Sequence, residues 1–401
     1  MDDFYVKVGR EKIQIDKDVF LTLFDLSSIE QYKPFQDALE NREINFSLLK
    51  EYAEKASIPY PLFFAPKNVV QSQVKDKEKS LYKKLPSKAE MQLNSRGKMR
   101  LRDVELIVKD LGRKQEFLKN RILTSAVKNT FVGLIAKQIK DRKSAKQMAD
   151  QLKSDLGVNL TALRGLSKEK VLQYLTDKVE DRGVLVSFSS YNFMPQNIDR
   201  EIGVSGFCIK DKKFPYIFIN TRDGDSNPKI LETSGRQIFT LVVMLVCIAM
   251  NRFVFSTKKG VLKSKDTKVV YSIVGEFLIP REDAVGLNIN DINELKQSAQ
   301  LFKVTPSMLI MRLRELNLID KKLADTLRDL LKKELKEAQP KQLHSPTQIT
   351  GYSKYNGSRF SREVIRAHKS KLITSEEVRN ILFRKGKMNS NLFQEYNNKF
   401  Q

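Results

Sequence analysis

RQIFTLVVMLVCIAM, residues 236–250, holds the longest apolar run of the chain. Leu241 to Met250 is unbroken apolar sequence, and with its flanks, Ile238 to Phe255, it reaches about the minimum length of a membrane span. Arg236 and Gln237 precede the run, and Asn251 and Arg252 interrupt it. So bounded, it reads as a helix buried on all sides in a globular core.

Working outward, the period of the pattern changes on either side. GVLVSF (183–188), VSGFCIK (204–210) and PYIFIN (215–220) are short, β-branched and aromatic, and Gly, Pro, Asn and Asp separate them. They read as strands of one small sheet. VVYSIVGEFLIP (269–280) reads as a second, mostly buried helix stopped by Pro280. The expected class is α+β, predominantly α: a small sheet-and-helix core flanked by basic helical regions. Residues 1–66 read as a short α-rich unit and 67–180 as a basic helical region. Residues 181–290 form the core, 291–339 a helical module, and 340–401 a linker with a basic helical extension. The linker is the Pro/Gly/Ser-rich segment 339–357.

Charge is the other bulk feature. In 401 residues, 72 Lys+Arg face 48 Asp+Glu, a net charge of +24. Between Lys67 and Asp150 stand 22 Lys/Arg and nine Asp/Glu, a net +13, and from Lys354 onward the net is +7. A polyanion partner follows, most simply double-stranded DNA. The two cysteines and two histidines (His344 and His368) leave little for a disulfide framework or a His-rich metal site, and point to a reducing, cytoplasmic setting. The start, MDDFYVKVGREKIQID, has acidic residues at positions 2 and 3 and no apolar run, and does not read as a signal peptide.

The order of the central elements resembles the ImmA/IrrE family of zinc metallopeptidase-like proteins. The residues that carry the match are Gly206-Phe207, Pro215 to Asn220, Arg236 to Leu241, and Glu276 to Pro280. More loosely, LLKEYAEKASIPYPLFFAP resembles the segment leading out of the family's N-terminal helix-turn-helix, which would make 1–66 a degenerate helix-turn-helix-like unit. LFKVTPSMLIMRLRELNLI and the segment beginning SRFSREVIRAHK resemble its later helical module and C-terminal extension. Family chemistry uses H-E-x-x-H on the helix after F-T-L, two His one turn apart holding zinc and Glu acting as base. Aligned through Phe239-Thr240-Leu241, those positions fall on Val243, Met244 and Cys247, and the third, acidic ligand falls on Thr267 beside Asp266. The resemblance therefore implies a pseudo-peptidase: the fold kept, with no catalytic residue, zinc or other cofactor.

Three surfaces are candidates for nucleic acid. In the module 291–320, Thr305 is placed as N-cap and Pro306 at the first helical position, with Lys303, Thr305, Ser307, Arg312 and Arg314 toward phosphate. Leu309, Leu313 and Leu316 face the core, while Met308 points elsewhere. The second surface is Arg96, Lys98, Arg100, Arg102, Arg113, Lys114, Lys119 and Arg121, and the third is Arg359, Arg362 and Arg366 with the bases around them. The functional expectation is a non-catalytic DNA-binding transcriptional regulator of a mobile element, prophage or stress regulon. The alternative is an anti-repressor or antitoxin-like interaction module that meets a repressor or other regulatory protein without binding DNA.

Overall fold

A computed structural model describes residues 3–84, 104–198, 204–221, 234–257, 265–337, 346–383 and 390–400, apart from single positions within 25–31 and at 57, 142 and 254. The class is α+β, predominantly α.

The four-stranded central sheet runs in the order Leu185–Phe188, Tyr216–Ile219, Val204–Ile209, Phe255–Thr257. The first pair is parallel and the others antiparallel. Three strands were legible in sequence; Phe255–Thr257 was not, because the apolar helix ends at Ala249 rather than running on to Phe255. Side chains alternate across a strand, and here the alternation separates two hydrophobic cores. Val186, Cys208, Ile217 and Ile219 enter one core, built on helix Ser234–Ala249 and helix Lys265–Leu278. Leu185, Phe207, Ile209, Tyr216 and Phe218 enter the other. That second face is covered by helix Glu105–Phe117 and by the C-terminal helices Gln348–Asn356, Ser358–Lys369, Ser375–Leu382 and Ser390–Lys399.

Helix Ser234–Ala249 is buried from Thr240 to Ala249 without a break. It packs against the sheet, helix Lys168–Asp181 and helix Lys265–Leu278. No described helix is long and apolar enough to cross a membrane.

Two expectations need correction. Residues 1–66 are not simply α-rich: strands Asp3–Val8 and Glu11–Asp16 form a hairpin, and Glu43–Asn45 adds in parallel to the first. Phe4 and Val6 point into a core in which Phe4 stacks on Phe20 at 4.3 Å and Phe24 meets Phe63 at 4.8 Å. The two-residue turn, Gly9 at φ 61° followed by Arg10, is the hairpin signal in FYVKVGREKIQID. Nor is 339–357 a linker throughout. Helix Gln348–Asn356 is capped by Thr347 and packs on strand Leu185–Phe188, where Ser187 Oγ donates to the Tyr355 carbonyl at 2.6 Å. Gly357, at φ +81°, lets the chain turn against that strand, since a Cβ would lie 2.1 Å from the Val186 carbonyl.

Candidate nucleic-acid interface

Val243, Met244 and Cys247 lie on helix Ser234–Ala249 with no exposure at all. Burial pushes the Cys247 thiol well above its ordinary range, and neighbouring Cys208 adds to the shift. Metal binding needs the thiolate, which this site disfavours. Thr267 belongs to helix Lys265–Leu278, but its side chain lies outside the described residues. Glu276, the nearest described carboxylate on that helix, is bonded to Arg312. Among the described residues, no three of His, Cys, Asp and Glu gather in a way that could hold a metal ion. His368 bonds Ser375 at 3.0 Å, and His344 lies outside the described residues.

The paired helices Ile292–Leu301 and Pro306–Glu315 form as their capping signals require. Thr305 accepts the Met308 amide at 3.2 Å, and Pro306 opens the second helix. The candidate phosphate contacts fare less well. Arg312 is 1% exposed, with Nε donating to the Ile279 carbonyl at 3.1 Å, Nη1 to Glu315 at 2.9 Å and Nη2 to Glu276. It is a core ion pair and cannot reach phosphate. Lys303 is also buried, in a left-handed turn with φ 59°. Met308 points inward rather than out. Arg314 is half-buried and donates to the Ile319 carbonyl at 3.0 Å. Ser307 alone of the five is exposed.

Lys114 needs the same correction. It is 1% exposed, 3.2 Å from Asp110, with its ammonium 4.0 Å from the Tyr355 ring centroid. Asp110 also accepts the Tyr355 hydroxyl at 2.9 Å. This cation–π and ionic cluster fixes helix Glu105–Phe117 to helix Gln348–Asn356. Lys119 pairs with Asp211 at 2.7 Å and Glu116 at 2.9 Å. Arg96, Lys98, Arg100 and Arg102 lie outside the described residues.

The remaining bases converge. Arg121 pairs with Glu377 at 2.6 Å, and Arg113, which also bonds Asp110, reaches the Asn380 carbonyl at 3.4 Å. The described end of the first basic region is thus bound to the basic C-terminal helices. On helix Ser358–Lys369, Phe360, Val364 and Ile365 face the core, while Arg362, Arg366 and Lys369 are exposed. Arg366 has a loose 3.7 Å pair with Glu363 and is 74% exposed. Arg359 turns inward instead, bonded through its side chain to the Glu180 carbonyl.

Glu180 carried no signal in the sequence beyond a charged helix position. It is fully buried and accepts the Arg359 amide at 2.9 Å. Burial pushes its carboxyl up to about 7, against the lowering effects of that hydrogen bond and of Arg362.

No protein-family model, curated protein or solved structure matches this chain.

Proposed function

We propose that this protein is a non-catalytic, double-stranded-DNA-binding regulator built on a metallopeptidase-like scaffold. The observation that carries the reading is the set of exposed bases Arg362, Arg366 and Lys369 on the solvent face of a single helix, with the described end of the first basic region bound to the neighbouring C-terminal helix. Exposed, weakly paired bases on a rigid element suit phosphate contact, which is sequence-independent and sensitive to salt. The apolar character of Val243, Met244 and Cys247 supports the non-catalytic part, because none offers a general base and the one thiol is held protonated.

Fluorescence anisotropy with a labelled duplex, in a salt series from about 50 to 200 mM, tests the reading. Three phosphate contacts on this helix imply a loss of affinity of roughly 40-fold across that range. Absence of binding at the low-salt end removes DNA as the partner and leaves a protein partner for the basic face.

A further inference from the structure

A cavity of about 230 Å³ opens between helix Lys168–Asp181, the Leu278–Asp283 corner and the turn that follows helix Ile292–Leu301. Its walls are largely apolar, with Leu163, Leu175, Ile238 and Phe302 among them. Its polar groups include Lys153, Arg164, Asp283 and Lys303.

These charges differ in one respect. Arg164 pairs with Asp283 and lies 5.3 Å from the Phe302 ring centroid, and Lys153 pairs with Asp150 at 2.8 Å. Lys303 lines the cavity at 8% exposure, and among the described residues its ammonium has neither a carboxylate nor a hydrogen-bond acceptor. A second base stands close by. Lys168 Nζ donates to the Val304 carbonyl at 2.9 Å, and burial, with the Lys303 charge, holds it below the usual lysine range. Glu169 accepts Ser234 Oγ at 2.7 Å, and its charge acts on Lys168 rather than on Lys303.

Lys303 thus brings to the wall of an apolar cavity a positive charge that no described carboxylate neutralises, and an anionic ligand could pair with it. Asp283 is neutralised by Arg164 and Lys153 by Asp150, so Lys303 is the lining cation left to meet a single negative charge. The apolar walls call for a ligand with a hydrocarbon body. A cavity of about 150 Å³ holds benzene, so this one takes roughly nine or ten non-hydrogen atoms. We propose that the cavity binds a small amphipathic monocarboxylate, its carboxylate on Lys303 and its apolar body against Phe302, Ile238 and Leu175. The proposal stands apart from the DNA reading, since no nucleic acid enters it.

The test is calorimetric titration of the full chain with octanoate, 1-octanol and inorganic phosphate. Wild type and Lys303→Asn are compared, because Asn accepts the left-handed backbone at this position. Melting curves confirm that the variant folds, and Lys303→Gln replaces it if it does not. Octanoate is expected to bind at least about ten-fold more tightly than 1-octanol, and to lose that advantage in the variant. Equal binding of acid and alcohol, or octanoate affinity unchanged by the substitution, overturns the proposal, as does absence of octanoate binding. Phosphate binding as tight as octanoate overturns the apolar-body assignment.

Discussion

Gly275 faces the guanidinium of Arg312: a Cβ at position 275 would lie 3.0 Å from both Cδ and Nη1 of the arginine. Arg312 cannot yield, because its three nitrogens are bonded to Ile279, Glu315 and Glu276. Gly275→Ala should therefore destabilise the fold by about 1–2 kcal/mol in denaturant titration, even though alanine favours a helix interior.

Removing the arginine should cost more. Arg312→Met leaves Glu276 facing the core without its partner, at about 3–5 kcal/mol, whereas Arg312→Met with Glu276→Leu should recover much of the loss. Any DNA affinity should keep its salt slope in the double variant. A lower slope would return Arg312 to the phosphate contacts from which its burial removes it.

Charge reversal on the exposed helix face gives the opposite pattern. Arg366→Glu with Lys369→Glu should leave the melting temperature within a degree or two, since neither side chain is packed. The slope of log affinity against log salt should fall by about two. Arg362 is left in place because its charge reaches Glu180.

Glu180 sets a pH dependence of its own. Its carboxyl is raised from the ordinary 4.5 to about 7 on folding, so the folded chain holds a proton that the unfolded chain releases in that interval. This contribution is fully present below about pH 4.5 and is lost as pH rises through 7, on the order of 3 kcal/mol in all. Glu180→Gln keeps an acceptor for the Arg359 amide and cannot ionise. It should be more stable than wild type at pH 8, and the difference should vanish near pH 5. Urea titrations at both values measure it, and equal pH dependence of the two proteins would count against a neutral buried carboxyl.

Cys208 and Cys247 are both buried thiols outside any disulfide. Neither should react with a thiol reagent until the chain unfolds, because only an exposed thiolate attacks. Cys247→Val should cost less than about 1.5 kcal/mol, and Cys247→Ser more, since the hydroxyl enters an apolar site. Near-stoichiometric zinc in purified protein, lost on Cys247→Ser, would refute the non-catalytic reading.

How far the sequence could be read depended on the range of the interaction. The apolar helix, three of the four central strands and the Thr305–Pro306 start are written in local periodicity and capping, and they stand where those signals put them except that the helix stops at Ala249. Arg312 and Lys114 looked like surface charge because their partners are remote: Glu276 lies 36 residues away on another helix, and the Tyr355 ring caps Lys114 across the second core. The same holds for Glu180, whose neighbour Arg359 lies 179 residues further on. The Gly9–Arg10 hairpin is equally local, yet its short alternation and charged flanks hide it, and residues 1–66 read as α-rich instead.

The alternation of the central sheet carries a consequence for synthesis. Strand Tyr216–Ile219 is buried throughout, yet the helices that seal its second face extend to residue 399. At about 5–20 residues per second, a ribosome leaves Tyr216 and Phe218 without that seal for roughly ten seconds or longer. During that wait the nascent chain presents an aromatic surface that helix Glu105–Phe117 covers only in part. A chain broken off before residue 346 would never lose it, and should be recognised by chaperones or proteases rather than accumulate as a smaller folded protein.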